Sequence, residues 1–270
     1  MMLKKIFKIP KKTSEFFEDF FYETFFYING RLKTIEKEQN EKFSRLGLNR
    51  NNGNKKLTKL IKLNPIINKP MSSEHQVLFS SLSEKKDFFP KKILEIGTYD
   101  ATNVFLLSKL FPKSNIVTID LEDNDNNFNS SYGRDDKDTK LKFINERNKV
   151  LSRCKNVDFI QKDSLELIFE TNLFDLIWID GAHGYPILPI DISNSIRLIS
   201  NDGIIICDDI FVSKRISPDS MYKSYAGFET LEALQKSGII KFSLLHKRIN
   251  IRDNSAPKNR KFLGIVNKIK

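Results

Sequence analysis

The stretch KILEIGTYDATN, residues 92–103, decides the fold class of this sequence. The short apolar run KILEIG (92–97) predicts a buried β-strand, and its Gly97 predicts a sharp turn into the element that follows. A helix is then predicted from the apolar residues Val104, Leu106, Leu107 and Leu110. A strand that leads through a tight turn into a helix is typical of the repeating unit of a parallel sheet.

The same pattern recurs from residue 72 onward. Further apolar strands are predicted at NIVTID (115–120), VDFIQ (157–161), FDLIWID (174–180) and GIIICDD (203–209). Helices are predicted near 138–153, from Pro186, and near 228–237. Two late strands, 239–247 and 261–268, indicate an antiparallel end to the sheet. The predicted fold class is therefore α/β: a Rossmann-like, doubly wound, mostly parallel sheet with an antiparallel final strand and an N-terminal helical extension.

Composition and charge limit the kind of protein this is. An apolar content of 40% with 29% charged residues is ordinary for a globular protein, and no apolar run is long enough to predict a membrane span. The two cysteines lack metal-ligand spacing and no signal-peptide pattern is present, so we expect a cytoplasmic location. The net charge of +11 is concentrated in residues 1–12 and 241–270. Because the middle of the chain is close to neutral, no nucleic-acid partner is expected.

Residues 1–70 are predicted to form a separate N-terminal region. It comprises a basic segment, an aromatic amphipathic helix within 13–38, and a linker over 49–70. One face of that helix carries Phe16, Phe17, Phe20, Phe21, Phe25 and Ile28. We expect this face to pack against the α/β domain, predicted over 71–270, or against a second subunit in a homo-oligomer. Peripheral membrane contact through the N-terminus is the alternative, which the acidic polar face of the helix disfavours.

Polar residues follow the predicted strands at the edge where such sheets bind ligands. They are Glu95 and Gly97 after the first strand, Asp120 after the second, Asp163 and Ser164 after the third, Asp180 after the fourth, and Asp208 and Asp209 after the fifth. A dinucleotide would need three glycines after the first strand, and only Gly97 is present. Glu95 would repel a pyrophosphate but suits a cationic ligand, so the charge favours S-adenosylmethionine over NAD. Asp120 is placed to accept hydrogen bonds from a ribose.

The segments ILEIGTYDATN, VTIDLED, QKDS, FDLIWIDGAHGY and ISNDGIIICDD together resemble class I S-adenosylmethionine-dependent methyltransferases. Among these, the chain looks most like the macrocin-type sugar O-methyltransferases and more distantly like catechol O-methyltransferase. The resemblance covers about residues 72–270. It implies a binding site for S-adenosylmethionine formed by Glu95, Gly97, Thr98, Tyr99, Asp120, Asp163, Ser164 and Asp180. Ala101 departs from the pattern, because many of these enzymes have a glycine there.

The resemblance further implies that Asp180, Asp208 and Asp209 bind Mg²⁺, and that His183 is the general base with Asp180 as its catalytic partner. Neighbouring strand residues face opposite sides, so Asp208 and Asp209 can share one metal only if the strand is broken between them. Simpler alternatives are a helix cap for Asp180, solvated turn residues for Asp208 and Asp209, and an ordinary structural histidine for His183.

The expected function is divalent-metal-assisted O-methylation of a small-molecule hydroxyl, with a sugar as the leading acceptor and His183 as the proton acceptor. One alternative is a metal-independent methyltransferase that acts on another nucleophile. The other is a non-catalytic module of the same fold that docks through its N-terminal helix. The polar segments 121–137 and 211–227 flank the site and are predicted to form lids that select the acceptor.

Overall fold

The computed structural model describes residues 24, 31–67, 73–214, 216–250, 254 and 260–269. The strands are β1 (Lys92–Ile96), β2 (Asn115–Asp120), β3 (Val157–Gln161), β4 (Phe174–Ile179), β5 (Ile199–Phe211), β6 (Ile240–His246) and β7 (Lys261–Lys268). The helices are α1 (Arg31–Arg45), α2 (Arg50–Leu63), α3 (Glu74–Leu82), α4 (Thr102–Leu110), α5 (Asn126–Ser130), α6 (Lys137–Leu151), α7 (Ile187–Leu198) and α8 (Ala226–Lys236). Short 3₁₀ helices lie at Pro65–Ile67 and Ser164–Phe169.

The seven strands form one sheet in the order β3-β2-β1-β4-β5-β7-β6. Strands β1 to β5 pair in parallel, whereas β7 lies antiparallel between β5 and β6. The predicted fold class is therefore confirmed, including the antiparallel final strand. Since β7 runs against both neighbours, β6 points in the same direction as β5. The end of β6 and the start of β7 consequently lie at the same edge as the ends of β1 to β5.

The sheet is covered on both faces, which explains why its central strands are almost wholly apolar. In β4, Leu176 and Trp178 belong to one hydrophobic cluster, and Ile177 and Ile179 belong to the other. This alternation follows from the opposite directions of neighbouring side chains in a strand. Full burial of each such side chain contributes about 1.5–3 kcal/mol relative to exposure, so β4 is held firmly at the centre of the sheet.

The prediction of a linker over 49–70 is wrong, because most of that segment forms α2. Asn49 caps the helix by accepting a hydrogen bond from the backbone N–H of Asn52 (3.0 Å). A Cβ atom on Gly53 would lie 2.0 Å from Ser81 Oγ, so α2 and α3 approach each other closely at this glycine. Leu57 is buried in the resulting contact. Tertiary packing thus stabilises a helix whose Lys- and Asn-rich composition is typical of a loop.

The N-terminal aromatic face lies outside the described residues. Within the described part, Thr24 is helical and residues 31–38 form the first half of α1. Among the helices that the structure describes, none combines the length and the apolar character needed to cross a lipid bilayer. The domain boundary near residue 70 and the cytoplasmic location stay predictions.

Candidate active site

The predicted site residues come from the carboxyl ends of β1 to β5, and parallel pairing brings these ends to one edge of the sheet. The turn after β1 approaches the end of β4 very closely. Gly97 has a φ of 97°, and a Cβ atom there would lie 2.4 Å from the carbonyl oxygen of Asp180. Only glycine fits both this backbone conformation and this contact. The single glycine of the turn therefore serves to place it against Asp180.

The rest of this turn reaches across to the end of β2. Tyr99 has a φ of 48° and donates its backbone N–H to Asp120 Oδ2 at 2.7 Å. Asp120 also accepts the backbone N–H of Leu121 (2.8 Å). Burial raises the pKa of Asp120, while these two hydrogen bonds oppose the rise. Ala101 adopts the left-handed conformation, with a φ of 62°, so the turn keeps the geometry of a glycine although the residue is alanine.

The side chains of two predicted cofactor-binding residues, Glu95 and Thr98, are buried beneath the turn rather than exposed at its surface. Glu95 is fully buried and accepts hydrogen bonds from Thr118 Oγ1 (2.5 Å) and Asn103 Nδ2 (2.8 Å). The hydroxyl of Thr98 bonds to that of Thr118 (2.6 Å) and is also buried. Burial raises the pKa of Glu95 to about 8, against the effect of both hydrogen bonds. Through these hydrogen bonds Glu95 links β1 to β2 and to α4 beneath the turn.

At the end of β3, Asp163 caps the 3₁₀ helix Ser164–Phe169 by accepting the backbone N–H of Leu165 (2.9 Å).

Sequence reasoning missed Asp191 of α7, whose carboxyl group is fully buried. Within the described residues, neither of its oxygens has a hydrogen-bond partner. Burial raises the pKa of Asp191 to about 7. Its position eight residues after His183, on the first turns of a buried helix, is the signal that could have identified it.

The two neighbouring aspartates near the end of β5 face the same side because the strand is irregular there. The pairing of β5 with β7 shifts register between Cys207 and Ile210, and Asp209 has a φ of 49°. Such a bulge inserts one residue and turns the next side chain. The break in the strand that would let both carboxylates bind one cation is therefore present. In this structure the cation between them is the ammonium group of Lys247, whose Nζ lies 2.6 Å from Asp208 Oδ2 and 2.5 Å from Asp209 Oδ1.

A second lysine completes this arrangement. Lys261 Nζ lies 2.8 Å from Asp209 Oδ2. Burial alone would raise the pKa of Asp208, but the ammonium of Lys247 holds it below the ordinary range. Burial and the negative charge of Asp208 raise the pKa of Asp180. Sequence reasoning missed both lysines, although the predicted strand 239–247 ends in Lys247 and the last strand begins with Lys261.

These contacts decide whether Mg²⁺ fits the predicted ligands Asp180, Asp208 and Asp209. The described residues contain no group of three or more His, Cys, Asp or Glu side chains arranged to hold a metal. Oxygens of Asp208 and Asp209 are engaged by lysines, and a lysine ammonium has no lone pair to offer a metal. The predicted Mg²⁺ site does not fit this arrangement, because β6 and β7 place two positive charges where the cation was expected.

His183 lies beside the same carboxylates without a close bond to them. Its Nε2 is 3.9 Å from Asp180 Oδ1 and 3.8 Å from Asp209 Oδ2, beyond hydrogen-bond distance. The side chain is buried, and burial lowers its pKa although the charges of Asp209 and Asp208 raise it. A neutral imidazole near carboxylates can accept a proton and then be stabilised as a cation.

The two predicted lid segments meet at this edge. The backbone N–H groups of His183 and Tyr185 donate to carbonyl oxygens of the segment 211–227, those of Met221 (3.1 Å) and Pro218 (2.9 Å). From the segment 121–137, the ring of Tyr132 lies 5.7 Å from that of Tyr222 and 5.0 Å from that of Tyr99. The three tyrosines form an aromatic cluster between the two segments and the turn after β1.

Comparison with known proteins supports this assignment of the fold. Residues 94–210 match a protein family described as a methyltransferase domain. No curated protein sequence matches the chain. Among solved structures, an O-methyltransferase from Bacillus cereus in complex with SAH is 16% identical, with 80% of this chain and 91% of that chain covered and a TM-score of 0.51.

Two other similar structures are less close in shape. One is the O-methyltransferase TomG from Streptomyces achromogenes in complex with SAM (16% identity, 67% and 74% covered, TM-score 0.47). The other is the SAH-bound methyltransferase PaMTH1 from Podospora anserina (19% identity, 72% and 79% covered, TM-score 0.48). Residues 94–210 therefore match a methyltransferase domain, and the strand order agrees with the Rossmann-like fold of such domains.

Proposed function

We propose that the protein transfers a methyl group from S-adenosylmethionine to a hydroxyl oxygen of a small molecule, a sugar or a similar polyol, with His183 as the general base. The observation that carries this proposal is the imidazole of His183. It is buried, its pKa is lowered by that burial, and it lies 3.9 Å and 3.8 Å from two carboxylates at the ligand-binding edge of the sheet.

The chain offers suitable groups to hold the methyl donor. The turn Gly97–Tyr99 and the carboxylate of Asp120 would bind its amino-acid and ribose parts, and Asp163 with Ser164 would bind the adenine. Glu95 would support the turn from below, since its carboxyl group is enclosed by Thr118 and Asn103. Bound S-adenosylmethionine supplies a methyl group on a positively charged sulfur, and transfer breaks the C–S bond while an O–C bond forms.

The proton of the acceptor hydroxyl passes to Nε2 of His183. The imidazolium that results lies near Asp180 Oδ1 and Asp209 Oδ2, and these carboxylates stabilise its charge. A base that is neutral before the reaction and stabilised afterwards favours proton transfer in the forward direction. Most of the remaining rate enhancement would come from alignment of the two reactants.

The aromatic cluster of Tyr99, Tyr132 and Tyr222 supports a small-molecule acceptor. It lies between the two lid segments, and both Tyr132 and Tyr222 remain about half exposed. Aromatic walls with a few polar groups are typical of small-molecule sites. The faces of these rings suit the apolar face of a sugar ring, while the hydroxyls of the sugar are left to His183 and the carboxylates.

The test compares His183→Asn with wild type in binding and in turnover. SAH should raise the melting temperature of both proteins equally, because His183 does not hold the donor. With a panel of sugar and phenol acceptors, kcat of the variant should fall about 10²–10⁴-fold, the usual contribution of a general base. Tyr185→Phe is the matched control in the same loop, since its hydroxyl already bonds to Glu229 (2.9 Å). Unchanged turnover in His183→Asn would reject the proposed base.

A further inference from the structure

The position of Lys247 follows from the topology of the last two strands. Lys247 comes directly after β6, which points in the same direction as β5 because β7 is antiparallel to both. Its side chain is therefore delivered to the ligand-binding edge and is only 6% exposed. The residue lies outside the matched range 94–210, so the domain match does not account for it.

The backbone around Lys247 is fixed from three sides. Its N–H donates to the carbonyl of Lys261 (2.9 Å), and its carbonyl accepts the N–H of Glu74 (2.8 Å). Glu74 is itself bound by Arg50 through two hydrogen bonds of 2.7 Å and 2.9 Å. The preceding residue, His246, is held by the side chain of Gln39. The ammonium group therefore extends inward from a rigid base formed by the N-terminal helices and the final strands.

The ammonium lies between two carboxylates that only the bulge in β5 brings together. Asp208 and Asp209 are 2% and 8% exposed, and each bonds to Lys247 Nζ. A buried ion pair of this kind persists only when its geometry is good, since both charges lose their hydration. A divalent cation on the same oxygens would have to lie next to the ammonium, where like charges repel strongly.

We propose that the ammonium of Lys247 occupies the cation position between Asp208 and Asp209, so that this methyltransferase works without a divalent metal. The metal-free mode of action rests on the proposed function, whereas the occupancy of the site does not. Lys247 would neutralise the two carboxylates and hold them in place beside His183. An acceptor would then need no pair of chelating hydroxyls, and its proton would be removed by His183 alone.

The test uses the full chain and measures metal binding directly. Lys247→Met keeps the length of the side chain but removes its charge, so Asp208 and Asp209 become free to bind a metal. We expect Mn²⁺ titration followed by electron paramagnetic resonance to detect no site in wild type and about one site in the variant. Millimolar Mg²⁺ should raise the melting temperature of the variant by roughly 3 °C or more and leave wild type unchanged.

Lys261→Met is the matched control, because it removes a lysine whose ammonium bonds to Asp209 rather than to Asp208 and leaves Lys247 in place. This variant should bind no Mn²⁺.

Wild-type turnover should change by less than about twofold with a chelator, since loss of a catalytic metal costs far more. Mn²⁺ binding by wild type that Asp208→Asn abolishes would overturn the proposal, even if Lys247→Met does not fold. A folded Lys247→Met protein that binds no Mn²⁺ would overturn it as well. The binding results require no acceptor, so they stand apart from the test of His183.

Discussion

The side-chain amide of Gln39 pairs with the backbone of His246 as a neighbouring strand would. Its Oε1 accepts the N–H of His246 (2.9 Å), and its Nε2 donates to the carbonyl of the same residue (3.0 Å). His246 is the last residue of β6, one of the two edge strands of the sheet. Helix α1 thereby covers the free edge of β6 directly before Lys247, and the N-terminal region supports the candidate site.

Replacing Gln39 should therefore destabilise the α/β domain. Gln39→Leu fills the same space but leaves the N–H and carbonyl of His246 buried without partners, which we expect to cost about 2–4 kcal/mol in the free energy of unfolding. Lys37→Ala, at an exposed position of the same helix, should change it by less than about 0.5 kcal/mol. Urea denaturation measures both, and equal stability of the two variants would show that α1 does not support the edge strand.

Much of the central sheet could be predicted from the sequence, because each buried strand is a short apolar run that ends at a polar or glycine residue. The bounds predicted for β2, β3 and β7 agree with the structure. The ends of these parallel strands must share one edge, so the carboxylates Asp120, Asp180 and Asp208 could be assigned to it.

The parts of the site that could not be predicted depend on long-range pairing. The order β5-β7-β6 decides that Lys247 and Lys261 reach the edge where the predicted site residues lie, and no local pattern encodes that order. The bulge at Asp209 likewise exists because Cys207 pairs with Gly264 and Ile210 with Phe262. Helix α2 was predicted as a linker since its composition is polar, and its stability comes from contact with α3.

Gly97 allows a sharp test of the close approach between β1 and β4. Gly97→Ala would place a methyl group against the carbonyl of Asp180, in addition to the cost of a left-handed backbone. Gly238→Ala is the matched control, because Gly238 has a φ of 73° but nothing within 4 Å of its Cβ position. We expect a loss of about 1–2 kcal/mol for Gly238→Ala, from the backbone alone. Gly97→Ala should cost roughly 1–3 kcal/mol more and weaken SAH binding, as measured by urea denaturation and calorimetry.

Arg147 is expected to hold the segment 121–137, which is predicted to form a lid. Its guanidinium is 1% exposed, forms two hydrogen bonds with Asp123 (2.9 Å and 3.0 Å), and lies 4.7 Å from the ring centroid of Phe159. Arg147→Lys keeps the charge but loses the paired geometry and the stacking, which should cost about 1–3 kcal/mol.

Hydrogen exchange is the informative measurement for this variant. Backbone amides of residues 121–130 should exchange faster in Arg147→Lys, while those of β4 change little. Arg153→Lys, at an exposed position after α6, should leave the exchange of both segments unchanged. Uniformly faster exchange across the sheet would mean that Arg147 stabilises the whole domain rather than the lid segment.

Asp191 should make the stability of the protein depend on pH. Because burial raises its pKa from 3.8 to about 7, the folded protein keeps this proton between those values, whereas the unfolded chain has released it. Stability is therefore expected to fall as the pH rises from about 4 to 7 and to level off above that, with a total effect of up to roughly 4 kcal/mol. Asp191→Asn removes the titrating group, so the free energy of unfolding of the variant relative to wild type should increase with pH.

Urea denaturation at pH 5 and pH 8 measures this difference. At pH 8 the Asp191→Asn substitution should stabilise the protein by about 1–4 kcal/mol relative to wild type, and at pH 5 by much less. Asp158→Asn, at an exposed position of β3, is the matched control and should have the same stability as wild type at both pH values. The free energies of unfolding of Asp191→Asn and wild type could instead change equally between pH 5 and pH 8. In that case a charge partner must stabilise the ionised form of Asp191 in solution, and its burial could not account for the pH dependence.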